Sequence, residues 1–159
     1  MAARVPHGFR CGCAPHDSTV HRGAARYAVR VIVRSLDEVV GTDRDVAGDG
    51  WRSRRILLRD DGMGYSLHDT VVEAGAEMEM EYRHHLEACY CLEGEAEIEE
   101  VATGQRHVIG PGVLYALNEH DRHVLRVRQQ LRLVCVFNPP LAGAETHDAS
   151  GAFPPDTET

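Results

Sequence analysis

Between Val31 and Pro140 the apolar residues come in short runs, and turn residues interrupt them roughly every 8–12 positions. The stretch "WRSRRILLRDDGMGYSLHDTVVEAG" sets two apolar runs on either side of the turn "RDDGMG", the pattern of a hairpin. "HLEACYCL", "EAEIEEV", "RHVIGPGVLYAL", "HVLRVR" and "LRLVCVFNPP" continue it, with Gly, Pro, Asp and Asn in the turns, where the backbone geometry calls for them. Runs this short leave little chain for helices. They specify an all-β fold, a small barrel or jelly roll, with one or two short helices. A helical segment is expected at Ser35–Val40, where Ser35 can cap and Glu38 stands three residues on. No repeat at a solenoid period is present.

At 159 residues the chain has length for one domain with a real core. A net charge of −8 argues against nucleic acid or an anionic membrane as partner. No apolar run approaches the ~18–20 residues of a membrane span, so a cytoplasmic location is expected. Cysteines 11, 13, 89, 91 and 135 fit no disulfide framework and read as reduced thiols. Residues 1–30 hold five arginines, a single acid and no long apolar pattern, and read as a disordered extension. There Cys11 and Cys13, with His16 and His21, match no zinc-finger spacing. "VIVRSL" reads as the opening of a domain spanning 31–156, and Val29 or Val31 can serve as an alternative start; an intact mass that includes residue 1 would exclude that start.

"YRHHLEACYCLEGEAEIEE" (82–100) is dense in metal-ligating groups. If extended, His85, Glu87, Cys89 and Cys91 share one face and Leu86, Ala88, Tyr90 and Leu92 the other. The apolar parity inverts after Gly94, which implies a bulge or turn there and a solvated acidic face beyond it. Gly75, Glu81, Arg83, Glu87 and Gly94 keep the frame G-x5-H-x-H-x3-E-x6-G, with both histidines replaced. Gly104, Gly110, Gly112, Tyr115 and Glu119 keep the frame G-x5-P-x-G-x2-H-x3-N, with Tyr115 in the histidine's place. These two frames resemble the cupin superfamily, with a rewritten metal site. Glu87, Tyr115 and His123 can supply two oxygens and a nitrogen, a set suited to Fe(II) or Zn(II) acting as a Lewis acid. The alternative is a metal-free cupin in which these groups are only hydrogen-bonded. The two inward cysteines read as packing.

Longer strings are more specific. "IVRSL", Trp51 with Arg55, "YRHHLEACYCLEGEAEIE", "GPGVLYALNEHDRHVLR" and "VCVFNPPLAGAETHD" together resemble the ectoine synthase family, from about Val31 to Pro155. The resemblance implies a cytoplasmic, iron-dependent homodimer on a cupin barrel. It implies closure of N-γ-acetyl-L-2,4-diaminobutyrate into the compatible solute ectoine with loss of water. Its metal ligands fall on Glu87, Tyr115 and His123. Its pocket residues fall on Trp51, Arg55, Thr70, Tyr82, His85, Cys135, Phe137, Glu145 and His147; His68 lies at a position that varies in the family. Trp51 and Phe137 are suited to walling the folded substrate, and Arg55 to pairing with its carboxylate. Glu145 or His147 is the expected base, and Tyr82 or His147 the expected acid. Two rivals are a non-catalytic cupin that binds a small ligand and a metal-dependent cupin oxygenase. The second wants a fuller histidine set than this chain has.

Overall fold

The computed structural model describes residues 31–148 and 151–153. The expectations for residues 1–30, including Cys11, Cys13, His16 and His21, lie outside them. Eight antiparallel strands make one sheet: β1 (Asp45–Gly48), β2 (Trp51–Leu57), β3 (Ser66–Val72), β4 (Glu77–Met80), β5 (Leu86–Glu100), β6 (Arg106–Ile109), β7 (Leu114–Leu117) and β8 (His123–Asn138).

Two long strands organise the sheet. β5 and β8 pair along nearly their whole length, from Leu86↔Asn138 to Glu100↔His123. The other edge of β8 takes β3 along its C-terminal half and β4 along its N-terminal half. The other edge of β5 takes β7 and then β6. Each long strand thus covers two of the short apolar runs seen in the sequence. "HLEACYCL" and "EAEIEEV" are one strand, because the break at Gly94 is a bulge and not a turn. Gly94 has φ +93°, and a Cβ there would lie 2.1 Å from the Gln130 carbonyl oxygen, so the crossing strand admits only glycine.

Alternation sends one face of every strand into a common core. Cys91, Ala96 and Ile98 of β5 meet Leu125, Val127, Leu131 and Leu133 of β8, all nearly or fully buried. Beyond the bulge, the outward glutamates are less solvated than expected. Glu97 and Glu99 are half-buried and pair with Arg106, and Glu99 also takes Arg126.

The helix expected at Ser35–Val40 is absent. Val39 and Val40 both donate to the Leu36 carbonyl (3.0 and 3.1 Å), and a run of turns follows. The Ser35–Glu38 pairing does form, with the Ser35 backbone N–H and hydroxyl donating to the Glu38 carboxylate at 2.6 and 3.0 Å. It caps a segment too short to propagate, closed by Gly41 at φ +76°. The one helix among the described residues is a 3-10 turn at Arg59–Asp61, inside the β2–β3 connection.

Candidate active site

Inward residues of β2, β3, β5, β7 and β8, with the C-terminal tail, enclose a cavity of about 50 Å³. Eight residues expected from the sequence line it: Trp51, Thr70, Tyr82, Glu87, Tyr115, Cys135, Phe137 and His147. Each strand contributes by parity. Trp51 and Ser53 come from alternate positions of β2, His68 and Thr70 from β3, and Cys135 and Phe137 from β8.

The wall is aromatic. Tyr82 meets Phe137 edge-on at 5.4 Å and stacks on Phe153 at 5.3 Å. His147 lies 4.5 Å from Phe153 and 5.0 Å from Trp51, ring centre to ring centre. The Tyr82 hydroxyl and His147 Nε2 are 3.0 Å apart. Burial holds the Tyr82 phenol well above its usual range, with the Glu87 carboxylate adding to the effect. Burial, then the Arg55 charge, lowers His147 to about 4. The pair therefore sits at neutral pH as a protonated phenol beside a neutral imidazole, with the Tyr82 hydroxyl also directed at the Met80 sulfur at 3.3 Å.

Arg55 is fully buried but does not line the cavity. Its guanidinium donates to the Gly143 carbonyl at 2.6 Å and to the Glu145 carbonyl, and pairs with the Glu145 carboxylate at 3.4 Å. Glu145 in turn accepts the backbone N–H groups of Ala142 (2.5 Å) and Gly143 (2.7 Å). These bonds outweigh its burial and hold its carboxyl below the usual range. Arg55 and Glu145 thus clasp the tail that brings His147 and Phe153 to the cavity. Leu141, fully buried, anchors the start of that tail by donating to Ser66 Oγ at 3.1 Å.

Glu87 is buried, and burial raises its carboxyl to about 7. Tyr115 lies on β7 opposite Cys89, and its phenol is held far above the usual range by burial and the surrounding Cys89 and Glu87. His123 is buried and sits 6.2 Å from the Tyr82 ring. It lines a neighbouring groove rather than the aromatic cavity, and Tyr115 lines both. Its Nδ1 donates to the Asp121 carbonyl at 2.9 Å, which leaves the Nε2 lone pair exposed to no partner. A buried carboxylate, a phenol and an imidazole nitrogen without a partner are donor types that suit a divalent cation. His85, also buried, donates from Nδ1 to the Pro139 carbonyl at 2.8 Å and likewise leaves Nε2 without a partner, outside the cavity wall. Glu81 and Arg83, in the places of the two lost histidines, pair with each other at the surface (3.1 Å).

Eight further residues line the cavity without having been singled out for a role in the sequence, and four of them bear on its chemistry. Ser53 follows Trp51 by strand parity, and its hydroxyl lies 3.1 Å from His68 Nδ1. Burial lowers His68 to about 3 and its Nε2 has no partner. Met80 lies beside the Tyr82 hydroxyl. Phe153 had one signal: no other Phe, Trp or Tyr follows Phe137 in the chain.

The ectoine synthase family model matches residues 31–157. An L-ectoine synthase of Desulfosudis oleivorans is 57% identical over 124 residues, covering 77% of this chain and 96% of that one. The crystal structure of an ectoine synthase from P. lautus superposes with a TM-score of 0.72 at 54% identity, covering 76% of this chain and 87% of that one. An RmlC-like cupin from Shewanella frigidimarina, 20% identical, shares the fold with a TM-score of 0.51, over 60% of this chain and 81% of that one. The strand order, the aromatic cavity and these likenesses agree: the fold is a cupin, and the chain belongs to the ectoine synthase family.

Proposed function

We propose that the aromatic cavity is where this hydro-lyase closes N-γ-acetyl-L-2,4-diaminobutyrate into ectoine, with the Tyr82–His147 pair moving the protons. The observation that carries this reading is the 3.0 Å contact between a protonated phenol and a neutral imidazole inside the cavity. The α-amine must attack the acetamide carbon as a free base, and the amide oxygen must leave as water. His147, neutral at working pH, accepts a proton from the attacking nitrogen. Tyr82 gives its proton to the departing oxygen and is reprotonated through His147, and the relay runs twice, because the nitrogen gives up two protons and the oxygen leaves with both as water. Glu145 is a poorer base, since its carboxylate is already held by two backbone N–H groups and Arg55. Trp51, Phe137 and Phe153 hold the chain folded and exclude water, an orientation effect with a ceiling of about 7–11 kcal/mol.

Glu87, Tyr115 and His123 would hold a divalent cation, Fe(II) first and Zn(II) second. Bound there, it supplies Lewis-acid polarisation of the amide oxygen. Among the described residues no helix is long and apolar enough to cross a membrane. With the charge of −8, this supports a cytoplasmic enzyme. The apolar outer face of β5 and β7 supports a homodimer.

The test is turnover. Purified protein supplied with Fe(II) and the acetylated diaminobutyrate is expected to give ectoine, and His147→Ala to give far less. Substrate binding without product under Fe(II) and Zn(II) alike would leave the ligand-binding cupin as the better reading.

A further inference from the structure

His120 stands in the loop that joins β7 to β8, with its backbone at φ +58°. Every other described residue at positive φ is a glycine, ten in all, so this loop alone carries a side chain where the chain elsewhere does without one. That side chain has a partner. His120 Nδ1 donates to the Tyr82 carbonyl at 2.7 Å, a bond that spans 38 positions. A carbonyl only accepts, so the ring proton sits on Nδ1 in this contact.

Tyr82 lies past the end of β4, outside the strands. Among the described residues no backbone hydrogen bond outside the strands reaches residues 81–85. The Tyr82 ring packs against Phe137 and Phe153, and its hydroxyl meets His147. Those contacts hold the ring; His120 holds the main chain from which the ring hangs. The loop that carries His120 is itself tied down. The Glu119 N–H donates to the Asp121 carboxylate at 3.2 Å, the Asp121 carbonyl accepts from His123 at 2.9 Å, and Arg122 pairs with Glu79 of β4. Histidine is one of the residue types tolerated at positive φ, so its presence in a loop is unremarkable by itself. A bond that served only to close the loop would end within it, and this one leaves the loop for Tyr82.

We propose that His120 is a positioning residue: by holding the Tyr82 carbonyl it sets where the Tyr82 hydroxyl stands in the cavity. The inference rests on the reading of Tyr82 as proton donor, and extends it to a residue that does not line the cavity. A displacement of about 1 Å at a reacting group costs on the order of 10²-fold in rate, so little slack at the carbonyl is needed to show.

The test is turnover with Fe(II) and the acetylated diaminobutyrate, measured on variants of the full chain. His120→Asn and His120→Asp have one shape, and both tolerate positive φ. The asparagine amide places an N–H as many bonds from Cβ as the imidazole Nδ1 does, whereas the aspartate can only accept. His120→Asn should keep kcat within about threefold, and His120→Asp and His120→Gly should each lose roughly 10–100-fold with KM changed far less. In a Tyr82→Phe background the hydroxyl is gone, so His120→Asp should cost no more than about twofold further. If His120→Asp does not fold, His120→Gly takes its place in both comparisons. Equal fold-losses in the two backgrounds, or equal kcat for the asparagine and aspartate variants, would overturn the positioning role and leave Tyr82 as donor. A wild-type chain without turnover, or Tyr82→Phe at the wild-type rate, would overturn the donor reading and this inference with it.

Discussion

Tyr82 and His147 lie 65 positions apart in the chain and meet at 3.0 Å in the cavity. Tyr82→Phe keeps the stacked ring on Phe153 and removes only the hydroxyl, so it should lower kcat by about 10²–10⁴-fold with little change in melting temperature. Steady-state kinetics beside a thermal melt checks both halves. Burial of imidazoles also sets how stability depends on pH. His68 and His147 have folded pKa values of about 3 and about 4, below an unfolded value of 6.5. The unfolded chain therefore binds protons that the folded chain refuses. Their contribution is complete above pH 6.5 and is lost as pH falls from there towards 4 and then 3. Between pH 7 and pH 5 His68 alone should cost about 2 kcal/mol. His68→Asn cannot take up that proton, so its melting temperature should fall less over the same interval. An equal fall in both proteins would show that His68 is not the group responsible.

The strands were readable in the sequence because each half-buried run alternates, and parity correctly placed Glu87, Cys89 and Cys91 on one inward face. Continuity was not readable. A bulge and a turn both announce themselves as Gly with a parity change, and only the partner strand tells them apart. Gly94 can be tested on this point. Gly94→Ala puts a methyl where the Gln130 carbonyl stands, 2.1 Å from the ideal Cβ, and also strains φ +93°. A loss of about 2–3 kcal/mol in denaturant unfolding is expected, from backbone that cannot yield. Gly104→Ala, with nothing within 4 Å, bears only the strain of its φ of +70° and should lose less. The tail shows the other limit of sequence reading. Glu145 and His147 were singled out by resemblance, but what separates them is Arg55, 90 positions away from Glu145, which holds Glu145 in a clasp while His147 meets Tyr82 in the cavity. Polar partners that distant leave no periodic trace in the chain.

The outward face of β5 changes character at the bulge. Beyond Gly94 it carries glutamates paired to Arg106, Arg126 and Arg128. Before Gly94 it carries Leu86, Tyr90 and Leu92, and β7 adds Leu114 directly opposite Tyr90. Tyr90 is 44% exposed and Leu114 60%. A contiguous apolar patch on a sheet face, bordered by charge, is costly to leave wet and marks an interface. A second copy of the chain is the partner that a homodimer requires, and a stable one buries about 800 Å² on each side. Leu114→Glu places a charge at the patch centre while its neighbour Tyr115 keeps the opposite, inward face. Sedimentation should then shift from dimer to monomer at micromolar concentration. The variant's spectrum should remain that of folded β-structure, because no core contact is removed. Wild-type protein that sediments as a monomer at the same concentration would refute the dimer. Turnover by the Leu114→Glu monomer adds a second measurement. The apolar patch lies on the outer face of the sheet and the aromatic cavity on the inner one, so a folded monomer should keep its activity. A monomer that folds and binds substrate but fails to turn it over would show that the second copy completes the site.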